Sequence, residues 1–298
     1  MTITGTATDS PLHHAVTPLD GSTAAAVAWR SKGQLHVTVI AKATFAFAHG
    51  VEMPRAAPQA ILRAEVHHGG NAARSVRFTS DLVPYLGRAD VLFTGHAHAP
   101  EGAQATRVRV RLGVFDARRT ILDKVVVAED AAGFQRMPIV YERAFGGMEH
   151  PDNPLGVAAP SVVDPTDPKR PAGLGPIARS WPSRRRLLGA TPRKALEGAV
   201  AEIPEGFDWS YFQAAPPDQR TAHLAGDEWI VMDGAHPTSP RVQMRLPRAR
   251  GLARVHGLAT FGVPEAQPLE LRADTLRIDG DTQTCTCLLY TSDAADEL

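Results

Sequence analysis

The sequence contains few cysteines, no long apolar run and no excess charge of either sign. Only two of the 298 residues are cysteine, which is too few for a disulfide framework and fits a reducing compartment. No stretch approaches the ~20 apolar residues that a membrane-spanning helix needs. The 32 basic and 32 acidic residues cancel, so the composition indicates no nucleic-acid surface. We therefore expect neither nucleic acid nor a membrane among the partners.

A secretory signal is also missing from the N-terminal residues. The stretch 1–14, MTITGTATDSPLHH, lacks a basic region followed by an apolar one. This favours a cytoplasmic location. Residues 1–20 are polar and without periodicity, so we expect them to form a loose N-terminal arm.

The patterns that are present predict strands. The 25 glycines and 24 prolines exceed the average share of these residues, which favours strands joined by many turns over long helices. Alternation predicts a long strand at 34–47 and a hairpin made by 104–115 and 119–129. Further strands are predicted at 24–29, 60–67, 74–78, 89–99, 229–232, 242–246 and 269–278, and a short helix at 193–200. The chain is thus predicted to be mainly β, an antiparallel β-sandwich or distorted barrel with long Pro/Gly-rich loops and few short helices.

Charged residues inside these strands leave alternatives open. Lys42 lies within an apolar run, and burying an unpaired ammonium is costly, so it must either extend to the surface or meet a carboxylate. Arg107, Arg109 and Arg111 recur on one face of their strand. This stripe is either a solvated face or a ligand site.

The stretch 136–156, RMPIVYERAFGGMEHPDNPLG, joins a predicted strand to a tight loop. Period-2 alternation runs from Met137 to Tyr141. Gly146 and Gly147 then end the strand, since residues without Cβ adopt backbone angles that a strand does not need. Asn153-Pro154 marks a turn. We regard this stretch as the segment around which the chain is organised.

Three polar groups follow one another inside this stretch. Tyr141, Glu142 and Arg143 supply a phenol, a carboxylate and a guanidinium. An arginine can form a forked pair of hydrogen bonds with a carboxylate. These groups therefore favour pinning of the loop over catalysis.

We predict a single β-rich domain over residues 21–286. The part after residue 157 is crowded with proline and forms either a second domain or loops wrapped on the first. Residues 287–298, CLLYTSDAADEL, resemble the translation of a transposase sequencing adapter, so we exclude them from the prediction of the fold. The domain is then expected to be truncated at its C-terminus, with Cys285 as its one cysteine.

Common catalytic motifs are not found in the sequence. No Gly-rich phosphate loop opens a helix, and no G-x-S-x-G turn is present. His96 and His98 share a strand face at a spacing used by metal sites in β-barrel enzymes. A third ligand would have to come from His67, His68, Glu149, His150 or Asp152. We predict no catalytic residue, no metal and no cofactor, and keep His96 and His98 as candidates for the alternative of a metal-dependent β-sandwich enzyme.

An ordered series of segments across residues 36–286 resembles the effector-adaptor family associated with type VI secretion loci, long described as a domain of unknown function. The segments are AKATF at 41–45, SDLVP at 80–84, GHAHAP at 95–100, RMPIVYERAFGG at 136–147, NPLG at 153–156, PAGLGPI at 171–177 with Trp181 and Arg184, FDWSYFQAAPPDQ at 207–219 and ADTLRID at 273–279. The chain departs from this family at His98, where an aromatic residue is usual. This departure makes the pair of histidines look incidental.

The resemblance implies a cytoplasmic bacterial adaptor or chaperone that has no cofactor. Such a protein binds a type VI effector and helps to load it onto the spike protein VgrG, with or without a PAAR tip. An alternative is that the chain is the N-terminal structural module of a larger secretion-associated protein. The residues expected to organise the frame are Tyr141, Glu142, Arg143, Phe145, Gly146, Gly147, Asn153, Pro154, Pro216, Pro217, Asp218 and Gln219.

Overall fold

The computed structural model describes residues 16–100, 103–222, 224–254, 256 and 268–291. The chain is 43% strand and 9% helix, which confirms the predicted mainly β class with few short helices. The strands are β1 (Thr23–Ser31), β2 (Gln34–Ala46), β3 (Val66–His67), β4 (Val76–Phe78), β5 (Ala89–Thr94), β6 (His96–His98), β7 (Ala105–Phe115), β8 (Thr120–Phe134), β9 (Arg136–Pro138), β10 (Val162–Val163), β11 (Val200–Ile203), β12 (Arg220–Thr221), β13 (Trp229–Asp233), β14 (Arg241–Arg245), β15 (Gly251–Ala253), β16 (Leu269–Asp279) and β17 (Thr284–Thr291).

Helices are short and lie in the connections. The α-helices of the described residues are α1 (Pro182–Arg185) and α2 (Arg193–Leu196). Single 3-10 turns occur at His68–Gly70, Tyr141–Arg143, Arg186–Leu188, Trp209–Tyr211 and Pro217–Gln219. No helix in the described ranges combines the length and apolar character needed to cross a membrane.

Two large sheets form the body of the fold. The larger sheet has the order β11-β1-β2-β17-β16-β5-β12, with β15 added to β16. The smaller sheet has the order β10-β8-β7-β13-β14, and β3-β4 and β6-β9 form two small ladders. Most pairs are antiparallel, whereas β1 with β11 and β16 with β5 are parallel. Neither large sheet closes on itself among the described strands, so the arrangement is sandwich-like rather than a barrel.

The main core lies between the inner faces of these two sheets. Buried Phe45, Phe93 and Ile278 of the larger sheet belong to one cluster with Leu112 and Ile230 of the smaller sheet. The opposite face of the larger sheet carries a second cluster, in which strand residues pack against the segment after β11; its members include Trp29, Ile40, Tyr290, Phe207, Tyr211 and Phe212. The larger sheet is therefore covered on both faces, and the aromatic segment 207–212 forms part of its outer cover.

Several predicted strands differ in extent from the observed ones. The strand predicted at 89–99 is broken at Gly95, where a Cβ would lie 2.8 Å from the Phe93 ring, and its two halves enter different sheets. Of residues 60–67 only Val66–His67 forms a strand. The helix predicted at 193–200 ends at Leu196, and β11 follows as a strand that the sequence did not reveal.

The two ends of the chain differ in how they relate to the predicted domain. The predicted arm lies outside the described residues as far as residue 15. At the other end, Cys287–Thr291 form the second half of β17, which lies between β2 and β16, so these residues belong to the fold. That residues 287–298 are the translation of a sequencing adapter remains a prediction, and residues 292–298 lie outside the described residues.

Candidate functional site

Asn153 is the centre of the loop that follows β9. Its side chain is fully buried, and its Nδ2 donates to the carbonyl oxygens of Tyr141 at 2.9 Å and Phe145 at 3.0 Å. A Cβ on Gly146 would lie 2.3 Å from the Asn153 carbonyl oxygen, so only glycine allows this approach. The Gly147 amide donates to the same oxygen at 3.0 Å. Pro154 continues from this residue, and the loop is thereby folded around one amide side chain.

Glu142 and Arg143 are not paired with each other. The Glu142 carboxylate accepts from the Ser75 amide at 2.9 Å and the Ser75 hydroxyl at 2.7 Å, and the Arg74 guanidinium lies at 3.4 Å. Burial opposes ionisation of Glu142, but these hydrogen bonds prevail and lower its pKa. Arg143 donates instead to the Ser161 hydroxyl at 3.2 Å. The two side chains therefore tie the loop to two different parts of the chain.

Tyr141 joins this loop to the segment 171–177. Its buried hydroxyl donates to the Gly175 carbonyl oxygen at 3.1 Å, and its ring meets Trp181 edge to face at a centroid distance of 4.9 Å. Gly173 lies against the ring so closely that a Cβ would be 2.4 Å from two ring carbons. Burial raises the pKa of the Tyr141 phenol, which keeps it a neutral donor.

The turn at 216–219 locks onto the same segment. The buried Gln219 amide donates to the carbonyl oxygens of Val91 and Leu174, both at 2.8 Å. The Lys124 ammonium lies 2.8 Å from both Asp218 Oδ1 and Gln219 Oε1. Pro216 is buried and Pro217 is exposed, at the start of the 3-10 turn. The turn thus connects segment 171–177 to both large sheets.

Arg184 was not recognised as an organising residue by the sequence analysis. Its guanidinium is 3% exposed and donates to the carbonyl oxygens of Tyr211 at 2.9 Å, Ile177 at 2.5 Å and Phe212 at 3.1 Å. Burial lowers the pKa of Arg184 to about 10. Trp181 and Arg184 both belong to the series of segments that resembles the adaptor family, and the Trp181 carbonyl oxygen accepts from the Arg184 amide at 3.1 Å.

Asp90 plays the corresponding role on the sheet and was also missed. Its buried carboxylate accepts from the backbone amides of Ala214 at 2.6 Å and Ala215 at 3.1 Å. Burial raises the pKa of Asp90, while these amides oppose the shift. The sequence signal that could have revealed Asp90 is a charged residue within an apolar strand, as for Lys42 in β2.

An ion pair decides the alternative for Lys42, and ion pairs also occur in the arginine stripe. Lys42 meets a carboxylate: its Nζ lies 2.8 Å from Asp81 Oδ2, and the other carboxylate oxygen accepts from Arg277 at 2.9 Å. Burial lowers the pKa of Lys42, and Asp81 opposes this. In the stripe, Arg111 forms a two-bond pair with Asp123 at 2.6 and 2.8 Å.

Comparison of the sequence with models of known protein families gives a match. The model of an uncharacterized protein conserved in bacteria, DUF2169, matches residues 32–289. The chain belongs to the DUF2169 family. No curated protein matches the chain, and no solved structure matches it. The matched range of this DUF2169 protein contains every loop residue placed above, and it includes Cys287–Leu289 of β17.

The histidine pair of this DUF2169 protein is engaged within the fold. His96 Nδ1 lies 2.6 Å from an Asp281 carboxylate oxygen, and His96 Nε2 lies 3.1 Å from Arg136 Nη2. The ring centroids of His96 and His98 are 6.2 Å apart. Among the described residues, no group of three or more His, Cys, Asp or Glu side chains is arranged to hold a metal ion. Cys285 and Cys287 are both buried, with free thiols.

Taken together, three separate segments of this DUF2169 protein form one hydrogen-bonded frame. The segment 136–156 contacts 171–177 through Tyr141, and 171–177 contacts 207–219 through Leu174 and Arg184. The polar side chains at these joints point to backbone carbonyls and amides. Such an arrangement fixes loops on a sheet.

Proposed function

We propose that this DUF2169 protein is a non-enzymatic adaptor or chaperone of a type VI secretion system. It binds a toxic effector in the cytoplasm and helps to load it onto the VgrG spike, with or without a PAAR tip. The observation that carries the proposal is the interlocked frame, in which the segments that resemble the adaptor family hold one another in place. A scaffold of this kind presents rigid loops to a protein partner.

The proposal is also supported by where the polar groups of the frame are directed. Glu142, Arg184 and Gln219 all form hydrogen bonds with groups of the protein itself. A catalytic carboxylate or guanidinium needs instead to face a substrate pocket. Both ring nitrogens of His96 have partners in the fold, so the metal-dependent alternative gains no support.

Affinity isolation from the bacterium that carries the gene tests the proposal. The full-length protein is tagged at its chromosomal locus, isolated and analysed by mass spectrometry, with a strain carrying the tag alone as the control. We expect a toxin and a spike protein to be enriched together, from the cytoplasmic fraction. Recovery of neither protein, under conditions in which the secretion system is expressed, would contradict the adaptor function.

A further inference from the structure

An open groove lies between the smaller sheet and the loop that follows the frame residue Phe145. Its volume is about 430 Å³. Val127 of β8 and its paired residue Val163 of β10 line the groove together with Phe145. Pro160, Pro165 and Pro168 also line it, and these residues have no backbone N–H to offer. The groove therefore suits an apolar side chain.

The charged residues that line the groove are two cations, Arg107 and Lys169, and two anions, Glu129 and Asp164, and only Lys169 among them lacks an ion-pair partner in the described part of the chain. Glu129 lies 3.8 Å from Arg107, and the Asp164 carboxylate is bound by Arg170, so both acidic residues of the lining have cationic partners. Lys169 is exposed and forms no ion pair with the described residues. An occupant that carries a carboxylate beside its apolar side chain would complement this lining.

The walls of the groove are held in place before anything binds. Val162 and Val163 pair with β8, and short bridges join Ala144 to Val162 and Phe145 to Val157. The Ser161 amide donates to the Arg143 carbonyl oxygen at 2.9 Å. A preformed groove lowers the entropic cost of binding, because little of the protein must be ordered.

We propose that this groove is the docking site for an extended segment of the partner protein, with a large apolar side chain seated against Phe145 and Val163 and an acidic residue beside Lys169. The inference rests on the proposed adaptor function and names the surface through which the cargo is recognised. Protein interfaces of this kind concentrate their affinity in one side chain that fills a pocket. A docked segment would therefore depend on the apolar anchor more than on the acidic residue.

Selection from a phage-displayed dodecapeptide library on the full-length protein tests the chemistry of the occupant. We expect the enriched peptides to share a large apolar residue next to Asp or Glu. The strongest of them, synthesised with a fluorescein label, is then titrated by fluorescence anisotropy. No enrichment, or enrichment of peptides rich in Lys and Arg, would overturn the proposal.

Variants with matched controls locate the binding. Ala158→Arg places a long side chain in the groove from an exposed position, and Ala117→Arg does the same in a separate cleft of about 230 Å³. We expect Ala158→Arg to weaken peptide binding about tenfold or more, and Ala117→Arg to leave it unchanged. Lys169→Glu should weaken binding by about threefold, whereas Lys194→Glu on α2 should not. Equal affinity for Ala158→Arg and the wild type would refute the location.

Isolation of the cargo separates this proposal from the adaptor function itself. If the wild-type protein and the Ala117→Arg control recover a toxin and Ala158→Arg does not, the groove is the cargo surface. If both variants recover the toxin, the adaptor function stands and the groove proposal fails. If the wild type recovers no toxin, the adaptor function is contradicted, and the groove proposal, which rests on it, is contradicted as well.

Discussion

The Lys42 ammonium lies 2.8 Å from the Asp81 carboxylate, and neither side chain is more than 1% exposed. Lys42 also donates to the Ala60 carbonyl oxygen at 2.8 Å, and Asp81 accepts from the Leu62 amide at the same distance. The pair thereby anchors the irregular stretch before β3 to the middle of β2. Each charge compensates the desolvation of the other, so the two must be considered as a unit.

We expect Lys42→Met to lower the free energy of unfolding by about 3–5 kcal/mol, because Asp81 is left buried without its nearest cation. Urea denaturation followed by circular dichroism measures this change. Lys169→Met, at an exposed position, is the control and should change stability by less than ~0.5 kcal/mol. A loss below ~1 kcal/mol for Lys42→Met would show that Arg277 alone compensates Asp81.

Asn153→Ala should destabilise the loop after β9. It removes two hydrogen bonds and leaves the Phe145 carbonyl oxygen without this donor, whereas the Tyr141 carbonyl oxygen keeps the Ala144 amide, so we expect a cost of about 1–3 kcal/mol. Asn71→Ala is the matched control, since the exposed Asn71 side chain accepts one hydrogen bond, from the Ala73 amide. Denaturation of both variants gives the comparison. Equal stabilities for the two variants would contradict a central role for Asn153.

Two neighbouring arginines provide a further comparison on α1. Arg184→Met leaves three buried carbonyl oxygens unsatisfied and should cost about 3–5 kcal/mol. Arg185→Met, at the exposed position next to it, should be nearly neutral. The melting temperatures of the two variants, measured side by side, distinguish a buried anchor from a generally basic segment. A neutral Arg184→Met would mean that water replaces the guanidinium.

Glu142 should make the protein less stable in acid. Its pKa is below the usual value of 4.5 in the folded state, so the folded protein binds its proton less readily than the unfolded chain does. Its contribution is therefore fully present above about pH 4.5 and is lost as the pH falls through the lowered pKa. Glu142→Gln should flatten this part of the profile of unfolding free energy against pH. An unchanged profile would assign the acid sensitivity to other carboxylates.

Strands were predictable where side chains alternate between a buried and an exposed face. β7 and β8 show this pattern, and their hairpin was predicted correctly. β11 was not predictable, because Val200–Ile203 is too short to show a period and is fixed by parallel pairing to β1. At Gly95 a Cβ would also lie 3.3 Å from the Cα of Gly280, and this approach of a distant part of the chain is a tertiary contact that no local pattern encodes.

The candidate site could be predicted from the sequence only in part, because its contacts join distant segments of the chain. The loop 136–156 was found from its glycines and from Asn153-Pro154, because turn residues have local signatures. The partners of Glu142 and Gln219 come from distant parts of the chain, so the sequence could suggest that these side chains were anchors but could not say to what. Glu142, for example, pairs with Ser75, which lies 67 residues earlier in the chain.

The position of β17 determines when this protein can fold during its synthesis. β17 inserts between β2 and β16, so Ala46 near the start of the chain pairs with Thr284 near its end. Before that pairing forms, the edge of β2 and the apolar face around Phe45 have no cover from β17. Pairings of such long sequence separation form slowly, since loop closure costs entropy before the contact is gained. The larger sheet can therefore be completed only after β17 has left the ribosome, and a nascent chain that stalls before Thr284 would expose an aggregation-prone strand edge.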